Sequence, residues 1–209
     1  MKWRVAGSLL LLCAALSSIG AQQVQPDPLV KLNEWRPKVQ SLIDSARAEG
    51  LPWNALRLKA LEGVSKKANN KAIYEELKKY YRRLEQSRAA LGPMADSAEI
   101  ETGASVLAAN VSTEDLAKFR VPGTGRSPMR PLTYLADLID KHNVPRNDAI
   151  EAFTRLWKDG AGDSDFDGLW RGVDQDILGG VAPRAALQSR MKSLPVRPPV
   201  DQEMENPRS

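Results

Sequence analysis

The chain has 209 residues, a formal net charge of +4 and a single cysteine. One cysteine excludes an intrachain disulfide framework, so the fold must rest on a hydrophobic core, which a chain of this size can supply. A balance of 30 Lys+Arg against 26 Asp+Glu, with no clustered basic excess, argues against a nucleic-acid binder.

The first 21 residues have the three-part layout of a secretory signal peptide. Lys2 and Arg4 supply the positive start, Val5 to Leu16 the apolar run, and Ser17 to Ala21 the small-residue region. The run is too short to cross a bilayer, which needs about 20 apolar residues, and the later chain has no stretch near that length. Cleavage is expected near Gly20 or Ala21. Lipidation of Cys13 is disfavoured, because Leu12 precedes it where a small residue is needed and the apolar run continues past it. The expected mature chain is cysteine-free and nearly neutral, with 28 Lys+Arg against 26 Asp+Glu. Export without disulfides favours a secreted or periplasmic protein of a bacterium.

Residues 22–36 read as a mobile lead-in. Residues 37–192 read as one all-α domain of about eight to nine helices, since apolar residues recur at helical spacing and no useful strand alternation is present. The first helix is expected from Pro37 to Glu49, on Val39, Leu42, Ile43 and Ala46. A second starts near Pro52 with Leu56, Ala60, Leu61 and Val64. A long third, Asn70 to Leu91, carries the heptad-like seam Ile73, Leu77, Tyr80, Leu84, Ser87 and Leu91, in which Ser87 is the weak point. Its other face holds Lys78, Lys79, Arg82 and Arg83, with Glu75 able to pair with Lys79. A fourth helix spans about Asp96 to Ala109 and a short fifth Ser112 to Phe119.

The loop at 120–128, rich in glycine and proline, is the clearest break and suggests halves at 37–119 and 129–192. Four helices follow, near Pro131–Lys141, Arg146–Lys158, Ser164–Leu178 and Pro183–Lys192. Residues 193–209, with Pro195, Pro198, Pro199 and Pro207, read as a disordered tail.

The connectors share one pattern: Gly50-Leu51-Pro52, Asn110-Val111-Ser112, Asn143-Val144-Pro145 and Gly180-Val181-Ala182. A Gly or Asn takes the left-handed helix-ending conformation, a small apolar residue packs back, and the next residue opens a helix. Asn110, Asn143 and Gly180 are 33 and 37 residues apart, with weaker echoes at Lys67-Ala68-Asn69 and Gly160-Ala161-Gly162. This predicts either a multi-helix bundle reusing one cap or a short helical-hairpin solenoid.

Asp163-Ser164-Asp165-Phe166-Asp167-Gly168 fits the opening of a calcium loop, with Asp174 at the twelfth position. Alternate aspartates would supply hard oxygens and the glycine a tight turn. Against calcium stand Asp174 in place of a bidentate Glu, Arg171 at the ninth position and the bulky Phe166. The competing account makes Asp163 a helix cap, with Asp165 and Asp167 favoured by the helix dipole. Ca²⁺ at Asp163, Asp165, Asp167 and Asp174 is therefore the weaker expectation, and no other cofactor is indicated.

The lone His142 ends a helix, where a cation is welcome, and lacks the companions of a zinc site. Glu101 is the nearest thing to a single catalytic carboxylate, but it sits in no lysozyme-like motif; Glu99 and Glu101 read as solvated. The basic face of the third helix, with its interleaved tyrosines, is diluted by Glu75, Glu76 and Glu85. Trp53, Trp157 and Trp170 read as packing residues. The expectation is an exported non-catalytic helical binding or scaffold protein whose partner is a protein or an envelope component. The alternatives are a cell-envelope hydrolase or lyase and a calcium-responsive module.

Overall fold

Side-chain caps start the helices that open at Asn70, Ser97 and Thr113, and most of the helices end where a residue turns left-handed. A computed structural model describes residues 27–120 and 125–194. The described residues form a 3-10 segment, Pro28–Trp35, and nine helices with no strand: α1 Arg36–Ala48, α2 Trp53–Ser65, α3 Asn70–Leu91, α4 Ser97–Ala108, α5 Thr113–Ala117, α6 Met129–Asp140, α7 Arg146–Lys158, α8 Asp163–Leu178 and α9 Pro183–Ser193. Side-chain oxygens of Asn69 and Ser112 accept from the first turns of α3 and α5, and Asp96 forms a reciprocal box with Glu99 at α4. Glu99 is thus a capping residue rather than a merely solvated one.

The connectors behave as one motif. Gly50, Lys67, Asn110, Asn143, Gly160 and Gly180 all have positive φ, between 53° and 89°. The next residue's N–H closes back on the helix it leaves: Leu51 to Ala46, Ala68 to Gly63, Val111 to Val106, Ala161 to Leu156 and Val181 to Asp176, at 2.8–3.3 Å. Val144 makes the same kind of return one residue further, to Leu138, at 2.9 Å. Leu51, Val111, Val144 and Ala161 are buried, so each turn is also an anchor in the core.

Two hydrophobic clusters fill the interior. The first joins Leu29 and Leu32 to apolar positions of α1–α3 and to Ile100 and Ala104 of α4. The second joins Ala90, Leu91, Val106, Leu116 and Phe119 to the inward faces of α6–α9. The expected halves therefore need correction. The core changes over within α3 and α4, because α4 turns Ile100 and Ala104 one way and Val106 the other; it does not change over at loop 120–128, of which 121–124 lie outside the described residues. The lead-in is also corrected: Pro28–Trp35 is ordered by burial of Leu29 and Leu32, while residues 22–26 lie outside the described region. The tail beyond Leu194 lies outside it too.

From α4 onward the helices stack as hairpins. α4, α6 and α8 pack in order, and α7 packs on α9. Bonds between neighbouring hairpins recur at nearly constant separation. Tyr134 reaches Asp167 and Trp170 reaches Asp137, each across 33 residues. Arg146 reaches the Asn110 carbonyl and Arg184 reaches Asp148, each across 36. Such repetition is the geometry of a short hairpin stack.

Candidate functional site

The segment expected as a calcium loop forms the first turns of α8, and its aspartates fan out to separate partners. Asp163 pairs with Arg130 at 3.3 Å. The Asp165 carboxylate accepts from the Gly162 N–H at 2.7 Å and caps the helix. Asp167 accepts from the Tyr134 hydroxyl at 2.9 Å and pairs with Arg171 at 2.9 Å. Asp174 lies beside His142, at 3.6 Å. A calcium loop must curl around its ion, whereas a helix carries successive side chains about 100° apart around its axis. Among the described residues no three His, Cys, Asp or Glu side chains gather closely enough to hold a metal.

The seam between α6 and α8 is polar and aromatic. Tyr134 stacks on Trp170 with centroids 5.4 Å apart. The Trp170 indole N–H donates to Asp137 at 2.9 Å, and His142 Nε2 lies 3.3 Å from the same carboxylate. Burial works against the Asp137 charge, but hydrogen bonds from Lys141 and Trp170, helped by the charges of Lys141 and His142, hold its pKa below the usual value. This seam fastens two hairpins. His142 thus has a structural place at the helix end where a cation was expected.

Asp137 also borders a cavity of about 370 Å³ between α3, α4 and α6, lined by Tyr80, Glu101, Thr102, Ser105, Thr133 and Lys141 among others. Glu101 is half-buried here, not solvated, and burial pushes its carboxyl above the ordinary range. Tyr80 is pushed up to about 12, chiefly by burial and then by the Glu101 charge. The hydroxyls of Thr102, Ser105 and Thr133 are spent on carbonyls one turn back, at 2.8, 3.1 and 2.8 Å. The basic face of α3 is largely neutralised: Lys78 pairs with Glu75 at 3.5 Å, and Lys79 and Arg83 pair with Glu76 at 3.9 and 2.9 Å.

The side formed by α5, α7 and α9 carries two grooves that flank α7. One, of about 480 Å³, runs between α5 and α7 and is lined by Asp115, Lys118, Asn147, Glu151, Thr154 and Lys158 among others. The other, of about 410 Å³, lies between α7 and α9, with Ala152, Leu187 and Met191 in its wall. Glu151 and Arg155 border both. Behind them Phe153 and Trp157 are buried, and Trp157 packs on Phe119 and Phe166 at 6.0 and 6.4 Å. Arg126 lies 3.9 Å over the Trp157 ring and donates to the Ala161 carbonyl at 2.6 Å, which ties the start of the α6 hairpin to the α7–α8 connector. These grooves escape a motif search. Their trace in the sequence is the polar series Asn147, Glu151, Thr154 and Lys158, which steps by four, three and four along a helix whose other face is apolar.

The chain matches no family model, no curated protein and no solved structure, so the functional reading rests on these residues alone.

Proposed function

We propose that this is an exported, non-catalytic binding protein that engages a protein or envelope component through its α5–α7–α9 side. The observation that carries the reading is the pair of grooves flanking α7, produced by hairpins stacked at a near-constant interval. Stacked hairpins present the same helix of each unit to one side, and such surfaces suit extended partners. The signal-like first 21 residues support export.

A photo-crosslinking residue at Glu151 or Gln188 should give a discrete adduct in cells, whereas one at exposed Lys67, in the α2–α3 connector, should not. Equal labelling from all three positions refutes the reading. Intact mass of the protein from the envelope fraction should show loss of residues 1–20 or 1–21; the full-length mass there removes the export part.

A second reading has one observation in its favour. Glu101 is half-buried beside Tyr80 with its pKa raised, the condition of a carboxyl that acts as a general acid. Incubation with cell-wall polymer tests it. Product release that Glu101→Gln abolishes would make the chain a hydrolase or lyase and overturn the non-catalytic reading.

A further inference from the structure

We draw no further inference here: the strongest candidate, the exposed apolar surface patch of Leu178 and Val181 at the α8–α9 connector, carries nothing because nothing in the structure shows what covers it.

Discussion

Where α3 crosses α4, a glycine sits on a serine, and replacing that glycine gives a sharp test of the packing. A Cβ added at Gly103 would lie 2.1 Å from Ser87 Oγ and 3.2 Å from both Ser87 Cβ and Leu91 Cδ1. Rotation can move the Ser87 hydroxyl away, but it cannot move Ser87 Cβ, which is fixed to the helix. Ser87 is fully buried, so the crossing has no slack toward solvent. Overpacking of this kind costs about 1–3 kcal/mol. Alanine gains about 1 kcal/mol over glycine inside a helix. Gly103→Ala should therefore lose up to about 2 kcal/mol net, a fall of roughly 4–8 °C for a domain of this size. Ser87→Gly in the same chain exchanges the two sizes and should recover much of the loss, with a coupling of about 1–2 kcal/mol in a double-mutant cycle. Ser87→Ala alone should be neutral or stabilising, since it removes a buried hydroxyl that has no partner. Urea unfolding of the four chains measures all of this. A Gly103→Ala variant more stable by the full helix-propensity gain, or a cycle that is simply additive, refutes the reasoning.

Asp137 fastens α6 to α8 with a carboxyl held below its ordinary 3.8, against the pull of burial, by Lys141, Trp170 and His142. Such a group stabilises the fold above its unfolded pKa, and the stabilisation is lost as pH falls through the folded one. Asp137→Asn should cost about 1–3 kcal/mol at pH 7, and the gap should narrow in strong acid; a constant gap between urea titrations at the two pH values would count against the seam. At Asn143, φ is +53°. Asn143→Ala should destabilise by about 1 kcal/mol while Asn143→Gly stays within about 0.5, as thermal melts can check. Millimolar calcium should leave the melting temperature unchanged; a saturable rise would mean that Asp163, Asp165 and Asp167 leave the helix to gather around an ion.

The helical content was legible because its signals are local. Asn69, Asp96 and Ser112 name the starts of α3, α4 and α5, and the Gly or Asn of each connector names an end. The long seam of α3 was equally plain, and all of it but Tyr80 is buried. What escaped depends on contacts between distant segments. Leu29 and Leu32 make a weak pattern alone, and only packing against α1, α2 and α3 makes Pro28–Trp35 an ordered segment. Ser87 looked like a flaw in its seam because its complement, Gly103, lies on another helix. Glu101 has nothing in its neighbourhood in sequence to show that α3 and α6 bury it. The Asp163–Gly168 segment fits two local patterns at once. The helical one prevails because Phe166, Leu169 and Val173 must face the core together, and only a helix turns all three inward.

The grooves follow from the same stacking, through a mismatch of length. Each hairpin contributes one helix to the α4–α6–α8 layer and one to the other side. On that other side α5 has 5 residues and α7 has 13. At about 1.5 Å per residue, α5 is less than half as long as α7. Glu151, Thr154 and Lys158 stand along the border of α7 that faces α5. α9, with 11 residues, is nearly long enough to cover the opposite flank, and there the lining turns apolar with Ala152, Leu187 and Met191. A short helix on one side and a long one on the other thus give α7 two unlike borders. One is lined mainly by polar and charged side chains, and the other is closer to an extension of the core.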